Sequence, residues 1–102
     1  MKEIKAIIQP FMLDAVLQGL RAVGDLPAVT VSEVKGQSVV HPEQAPSGKM
    51  KLEIMVPDET VDAVVRAIQN TAHTGNPGDG RIFVISVEDT VKIRTGERDT
   101  AT

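Results

Sequence analysis

The stretch Leu13-Asp14-Ala15-Val16-Leu17 returns 48 residues later as Val61-Asp62-Ala63-Val64-Val65. The segments before the two copies match at the same offset, since Ile4, Ala6 and Ile8 correspond to Leu52, Ile54 and Val56. In each half, an alternating apolar segment typical of a strand precedes an apolar period of three to four residues, typical of an amphipathic helix. The repeat therefore predicts a chain built from two β-α-β halves.

The remaining segments complete this pattern. Four strands are predicted at residues 2–9, 29–34, 49–56 and 81–88, and one helix follows the first strand and another the third. Pro10 ends the first strand, Gly24 ends the first helix, and Asp58 is expected to cap the second helix. This order predicts an α+β, ferredoxin-like split βαββαβ sandwich, with both helices on one face of an antiparallel sheet.

The other face of such a sheet has no helix to cover it. Its apolar residues are expected to be Ile7, Met55, and Phe83 or Ile85. An apolar face of this kind usually needs a partner, so the sequence predicts a homo-oligomer. Lys49, Lys51 and Glu53 alternate onto the same face, either as a solvated surface or as charges that need partners once the face is buried.

Composition limits the classes of function. The chain has 102 residues, which is the size of one domain (1–102), with 41% hydrophobic and 25% charged residues and a net charge of −3. Without Cys it has no disulfide, thiolate zinc site or Cys nucleophile. The acidic balance and the absence of Trp and Tyr do not suit a nucleic-acid partner. No apolar run reaches the roughly 20 residues that span a bilayer, so we expect a cytoplasmic protein without membrane insertion.

The most distinctive local motif is the glycine-rich segment Thr74-Gly75-Asn76-Pro77-Gly78-Asp79-Gly80, which is followed directly by Arg81. Glycines let the backbone approach a ligand, successive N–H groups in such a turn bind anions, and an arginine can clamp a phosphate. The segment is not a Walker A motif, because it lacks the Gly-Lys-Ser/Thr ending and leads into a strand. Taken alone, it is equally compatible with a plain Gly-Asp-Gly turn.

Two polar segments are further candidates. Lys92 and Arg94 stand two residues apart, so on an extended chain both face one side and suit a polyphosphate, although a solvated edge strand also explains them. The connection at 36–49 is longer than a usual hairpin loop, which is typical of functional or disordered loops. The tail at 95–102 is polar and is expected to be loose.

Ordinary catalysis has little support in the sequence. His41 and His73 are far apart and show no spacing typical of metal ligands, and no serine has a neighbouring base. We therefore expect neither a catalytic residue nor a metal site.

Taken together, these segments resemble the PII signal-transduction family over nearly the whole chain. The matching segments are the opening strand with Leu13-Asp14-x-Val16, residues 30–36, residues 74–84 and Ile93-Arg94-Thr95-Gly96-Glu97-Arg98. Each segment alone is a moderate match, but four in order at the right intervals are specific.

The resemblance implies a homotrimer that binds an adenine nucleotide (ATP, ADP or AMP) in each of three clefts between subunits. Phosphate contacts would come from Gly78, Asp79, Gly80 and Arg81 of one subunit, from Gly36, Gln37 and Ser38 at the base of the 36–49 loop, and from Lys92 and Arg94 of the neighbouring subunit. The adenine and ribose would be bound by Ile7, Val29, Thr30, Glu53 and Met55.

The 36–49 loop departs from the nitrogen-regulatory members of this family. It is shorter, and it contains no Tyr that could accept a uridylyl group. Ser38, Val39 and Val40 stand where the family has a Gly-Arg-Gln run, whose Gln helps to hold a metal and 2-oxoglutarate, so the resemblance does not carry Mg over to this chain. Lys49 matches a family lysine that contacts oxoglutarate or the γ-phosphate. We therefore expect Lys49 to bind a second anion, bicarbonate or 2-oxoglutarate.

The function implied is a non-enzymatic nucleotide sensor whose 36–49 loop docks on a transporter or a metabolic enzyme. Three alternatives stay open. The first is a bicarbonate-linked, carboxysome-associated sensor of carbon metabolism. The second is a slow ATP hydrolase in which Asp79 positions water, and the third is a metal-linked trimer that uses His41 and loop carboxylates.

Overall fold

The computed structural model describes residues 1–98 of the 102-residue chain. Its strands are β1 (Lys2–Ile8), β2 (Thr30–Gly36), β3 (Ser47–Val56) and β4 (Gly80–Ser86), and its helices are α1 (Leu13–Val23) and α2 (Val61–Ala72). A short 3-10 turn precedes each helix, at Pro10–Met12 and at Asp58–Thr60. Within residues 1–98, no helix is long and apolar enough to cross a membrane.

The strands form one antiparallel sheet in the order β2-β3-β1-β4. In this register Ile4 of β1 lies between Ile54 of β3 and Val84 of β4. The first strands of the two halves, β1 and β3, are therefore neighbours at the centre of the sheet, as a split β-α-β arrangement requires. The predicted α+β ferredoxin-like fold is confirmed.

The hydrophobic core lies between the two helices and one face of the sheet. Its buried residues come from β1, β3, α1 and α2: Ile4, Ala6, Ile8, Leu52, Ile54, Val56, Val16, Leu20, Val64, Ile68 and Ala72. The alternation and the helical period seen in the sequence are both confirmed by this set. Strand β4 contributes only the partly buried Ile82 to the core, and its Phe83, Val84 and Ile85 are exposed.

The opposite face of the sheet is uncovered, as predicted, but it is not simply apolar. The register aligns Lys5 with Glu53 on one side and Phe83 on the other. The Lys51 ammonium lies 3.5 Å from the Glu53 carboxylate, and both side chains are about 70% covered by their neighbours, with exposures of 31% and 27%. Any partner that covers this face must therefore accept an ion pair as well as apolar side chains.

The predicted cap of the second helix by Asp58 is wrong. No side chain caps the 3-10 turn or α2. The Asp58 carboxylate instead accepts a hydrogen bond from the α-ammonium group of Met1 at 2.7 Å, and this bond lowers the pKa of Asp58. A cationic donor forms a stronger hydrogen bond with a carboxylate than a neutral backbone N–H does.

The connection between β2 and β3 is shorter than the predicted loop 36–49. The two strands continue as a ladder until Gly36 pairs with Ser47, and Lys49 pairs with Val34. Gly36 and Lys49 are thus strand residues, and the connection itself comprises residues 37–46. The composition of the segment suggested a loop because glycine, proline and serine mark both turns and the ends of hairpins.

The extended conformation that would place Lys92 and Arg94 on one side is not found. Residues 93–95 form a turn, in which the N–H of Gly96 donates to the carbonyl of Lys92 at 2.7 Å. The N–H of Lys92 in turn donates to the carbonyl of Glu97 at 2.9 Å. Gly96 has a φ of +74°, a conformation that glycine adopts without strain, and it lets the chain reverse here.

The polar tail is held as far as Arg98. Val91 and Arg98 form an antiparallel bridge, and the Arg98 guanidinium binds the Asp89 carboxylate. The predicted loose tail is therefore wrong for residues 95–98. Its remainder, residues 99–102, lies outside the described residues.

Strand β4 begins at a glycine that no other residue can replace without a shift of the backbone. Gly80 has a φ of +108°, and a Cβ atom there would lie 1.8 Å from the carbonyl oxygen of Ile7. The register pairs Ile8 with Gly80 and Ile7 with Arg81. The absent side chain at residue 80 therefore allows β4 to start directly against the end of β1.

We expect Gly80→Ala to lower the free energy of unfolding by about 1–3 kcal/mol or more, because it adds both a steric overlap and a strained φ. Gly48→Ala is the matched control, since a Cβ at Gly48 meets no atom within 4 Å. Urea unfolding of both variants at one protein concentration measures the difference. Equal midpoints for the two variants would contradict the close approach of β4 to β1.

Candidate functional site

The glycine-rich segment is a closed loop held by its own aspartate. Oδ2 of Asp79 accepts hydrogen bonds from the backbone N–H groups of Thr74 at 2.8 Å and of Gly75 at 2.9 Å. The Thr74 hydroxyl donates to the other oxygen, Oδ1 of Asp79. The carboxylate thus joins the two ends of loop 74–79.

These contacts define the charge state of Asp79. The bond from the Thr74 hydroxyl, followed by those from the backbone N–H groups of Thr74 and Gly75, lowers the pKa of Asp79, and His73 nearby acts in the same direction. Oδ2 accepts two of these bonds and Oδ1 one, so the ionised carboxylate serves to close the loop.

The carbonyl of Gly78 connects the loop to two strands. It accepts hydrogen bonds from Nε2 of Gln9 at 2.7 Å and from Nζ of Lys49 at 2.9 Å. Lys49, the predicted ligand of a second anion, therefore lies against the loop. The sequence analysis did not select Gln9, because a side chain that contacts a backbone atom 69 residues away leaves no local pattern.

Arg81 and Ile7 lie beside the loop as a register pair on the uncovered face of the sheet. An open cleft of about 440 Å³ runs past them along the edge of the sheet next to α2. Its lining is mostly apolar, with polar groups from His73, Asp79 and Arg81 at the end near the loop. One chain thus brings together five predicted phosphate or anion residues and one predicted adenine contact: Gly78, Asp79, Gly80, Arg81, Lys49 and Ile7.

A second group of predicted residues lies farther along the sheet. Thr30 is paired with Glu53, and both line a cleft of about 270 Å³ together with Glu3 and Met55. Val29 precedes β2 and packs partly against the core. These predicted adenine and ribose contacts therefore share one cleft, except for Val29, which lines a different cavity of about 320 Å³ next to α1.

The third group belongs to the β2–β3 hairpin. Gly36 ends β2, and Gln37 and Ser38 begin the connection 37–46. Nε2 of Gln37 donates to the carbonyls of Ser38 and Gln44, both at 3.2 Å, and so links the two sides of the hairpin tip. The Ser38 hydroxyl accepts from the N–H of His41 at 2.9 Å, so both side chains are engaged within the hairpin.

Lys92 and Arg94 are not part of the same cluster. They follow β4, whereas the glycine-rich loop precedes it, so the length of the strand separates them from the loop. Seven strand residues at about 3.3 Å each span roughly 20 Å. The two cations and the loop therefore lie on opposite sides of β4 along the chain.

No cluster of metal ligands accompanies the site in the described part of the chain. Residues 1–98 contain no group of three or more His, Asp or Glu side chains placed to hold a metal ion. His41, the residue of the metal-linked alternative, has Nδ1 3.3 Å from the carboxylate of Glu43.

Comparison with known proteins shows which family the chain resembles. The family model described as nitrogen regulatory protein P-II matches residues 1–97. The chain is 45% identical to the nitrogen regulatory protein P-II of Rhizobium meliloti (strain 1021), with 95% of each chain covered. It is 46% identical to the nitrogen regulatory protein P-II 1 of Escherichia coli (strain K12), with 99% of this chain and 98% of the relative covered.

The chain belongs to the P-II family. The family model matches nearly the whole chain, and both relatives are about 45% identical over almost their full length. The fold agrees as well, since a crystal structure of Arabidopsis thaliana PII bound to citrate superimposes with a TM-score of 0.82 at 37% identity. That superposition covers 96% of this chain and 84% of the plant chain.

Membership of the P-II family indicates the broad class of function. The curated P-II relatives are named as nitrogen regulatory proteins, which are signal transducers rather than enzymes. The P-II fold here presents a loop shaped by Asp79, a cation at Lys49 and an uncovered sheet face, and these features fit a binding protein without a catalytic group.

We expect Thr74→Val to raise the pKa of Asp79 toward its ordinary value, because the substitution removes the hydroxyl that binds Oδ1. In the wild type, ionised Asp79 stabilises the closed loop at pH values above the pKa that Asp79 has in the unfolded chain. This stabilisation is lost as the pH falls through the lower pKa that Asp79 has in the folded protein. An NMR titration of the Asp79 carboxyl measures the change. Thr71→Val is the control, since the Thr71 hydroxyl bonds only to carbonyls of α2. An unchanged Asp79 titration in Thr74→Val would contradict the loop closure.

Proposed function

We propose that this P-II protein binds adenine nucleotides (ATP, ADP or AMP) in clefts between the subunits of a homotrimer. The observation that carries the proposal is the closed glycine-rich loop, with Arg81 next to it in sequence and Lys49 bound to it. The N–H groups of Thr74, Gly75 and Asn76 are bonded within the loop, so an anion would be bound by N–H groups that follow Pro77, and the cations would supply charge for phosphates. The resemblance assigns the phosphates to residues 78–81 and to Gly36, Gln37 and Ser38.

The uncovered face of the sheet supports the trimer. It combines Ile7 and Met55 with the largely covered ion pair of Lys51 and Glu53, and no helix formed by residues 1–98 covers it. Strand β4 exposes apolar side chains on both of its faces, which also favours a neighbour. Sedimentation that shows a monomer at micromolar concentration would remove the trimer and the cleft between subunits together.

The position of Lys92 and Arg94 supports a site made by two subunits. They follow β4, whereas the loop precedes it, and the family resemblance assigns them to a phosphate bound by the loop of a neighbouring subunit. In the same arrangement the adenine would lie against Ile7 and Met55, with Val29, Thr30 and Glu53 next to the base and ribose. These assignments follow the family resemblance.

We propose that the bound nucleotide acts on a partner through the β2–β3 hairpin. Gln37 holds the hairpin tip together, and a nucleotide that takes the Gln37 amide would compete with its bonds to Ser38 and Gln44. Val39 and Val40 at the tip are 92% and 80% exposed and give a partner an apolar contact. A ligand shifts the hairpin only as far as it binds the two hairpin states differently.

The partner would be a transporter or a metabolic enzyme, and we place this regulation in the cytoplasm, where adenine nucleotides are available. The carboxysome-associated alternative depends on the second ligand and is therefore decided by the anion titration described below.

We expect Arg94→Ala to weaken ATP and ADP binding by about 1.5–3 kcal/mol, which is the usual contribution of a hydrogen bond to a charged group. Adenosine binding should change little, because Arg94 is assigned to a phosphate. Calorimetric titration of the three ligands measures this difference, with Arg66→Ala on the exposed face of α2 as the matched control. Equal losses for ATP, ADP and adenosine would remove Arg94 from the phosphate site.

Lys49 is the proposed ligand of a second anion. The Arabidopsis PII structure is described as bound to citrate, which supports a carboxylate ligand in this family. Val39 and Val40 occupy the region where the family Gln helps to hold a metal, so the chain lacks that route to a joint site for Mg, ATP and 2-oxoglutarate. A small anion such as bicarbonate suits the single ammonium better.

We expect 2-oxoglutarate to raise ATP affinity by less than the tenfold that about 1.4 kcal/mol of coupling gives. ATP and ADP should be titrated with bicarbonate, 2-oxoglutarate or citrate in excess, using wild type, Lys49→Gln, and Lys35→Gln as the control. Any anion effect should disappear in Lys49→Gln alone. Strong Mg-dependent synergy between ATP and 2-oxoglutarate would contradict the proposal and indicate an ordinary nitrogen sensor.

A further inference from the structure

The carbonyl of Gly78 accepts two hydrogen bonds, and the two donors belong to the two neighbouring central strands or their ends. Gln9 follows β1 and Lys49 lies near the start of β3, and their nitrogen atoms are 2.7 Å and 2.9 Å from the same oxygen. A carbonyl oxygen has two lone pairs, so these bonds use its full capacity. The Gln9 side chain also packs closely, since a Cβ on Gly78 would lie 3.1 Å from Nε2 of Gln9.

Fixing this carbonyl fixes the next N–H group. A trans peptide is planar, and its N–H points opposite to its C=O. Residues 1–98 contain no cis peptide, so the N–H of Asp79 points away from Gln9 and Lys49. Rotation of this peptide changes ψ of Gly78, and glycine offers little steric resistance to it. The two side-chain donors therefore supply an orientation that the backbone itself does not enforce.

The two donors differ in what can displace them. Lys49 carries a positive charge, and an ammonium bonds more strongly to an anion than to a neutral carbonyl. Gln9 is neutral and gains no charge attraction from an anion. When an anion attracts Lys49, Gln9 still holds the Gly78 carbonyl and the loop keeps its shape.

We propose that Gln9 is the positioning residue of the phosphate-binding loop: it orients the Gly78–Asp79 peptide so that the N–H of Asp79 faces the phosphate, and it does so independently of whether Lys49 is bound to an anion. The phosphate part rests on the proposed function. The orientation of the peptide does not, because it is a property of the free protein.

The test compares Gln9→Met, which removes the donor at similar length without adding a charge, with Gln9→Lys, which restores a donor. Gln18→Met on the exposed side of α1 is the matched control. Residual dipolar couplings of the N–H of Asp79 in the nucleotide-free trimer report the orientation of the peptide. ATP and adenosine titrations of the same proteins report binding, with and without bicarbonate in excess.

In Gln9→Met we expect an altered coupling at Asp79 and a loss of ATP affinity of roughly threefold to tenfold, the range for one hydrogen bond, with adenosine unaffected. The loss should grow with bicarbonate present, since Lys49 then leaves the carbonyl as well. Gln9→Lys should restore the coupling and the ATP affinity.

An unchanged coupling in Gln9→Met overturns the proposal, as does a changed coupling with unchanged ATP affinity. If wild type binds no ATP, the proposed function fails, while a changed coupling still supports the role of Gln9 in the loop.

Discussion

The close contact between Gly80 and the carbonyl of Ile7 is the constraint on which the rest of the site depends. A Cβ atom at residue 80 would lie 1.8 Å from the carbonyl oxygen of Ile7, so a side chain there would require the backbone to shift. The first residue of β4 determines which of the following β4 residues lie on each face of the sheet. It puts Arg81 beside Ile7, and it leaves the glycine-rich loop as the direct extension of the edge of the sheet.

The loop is then held from three directions. Gly80 anchors its end to β1, the Asp79 carboxylate closes it onto Thr74 and Gly75, and Gln9 and Lys49 hold the Gly78 carbonyl. The three contacts differ in kind. Gly80 allows close packing of two backbones, Asp79 is an ionised acceptor, and Gln9 and Lys49 are a neutral and a charged donor. A loop so constrained does not have to become ordered on binding, which lowers the entropic cost of binding an anion.

Much of the fold was predictable, because the alternation around Ile4 and the repeat around Leu13 record which side chains face the core. The wrong predictions concern residues whose conformation depends on a contact with a residue elsewhere in the chain. Asp58 looked like a helix cap, but the α-ammonium of Met1 binds it. The four residues from Val91 alternate, but the turn at 93–95 and Gly96 reverse the chain there. Of the candidate site, the motif residues 78–81 and Lys49 were selected from sequence. Gln9 was not, since its contact with the Gly78 carbonyl exists only after folding.

The central claim is that one cleft takes its glycine-rich loop from one subunit and Arg94 from another, and mixed trimers test it most directly. Arg81→Ala and Arg94→Ala subunits carrying different tags are co-expressed, and trimers containing both are purified and titrated with ATP. A cleft shared between subunits predicts that every mixed trimer has one cleft with both arginines intact, and therefore one site of wild-type affinity per trimer. Mixed trimers that bind ATP no better than either variant alone would contradict the shared cleft and with it the assembly that we propose.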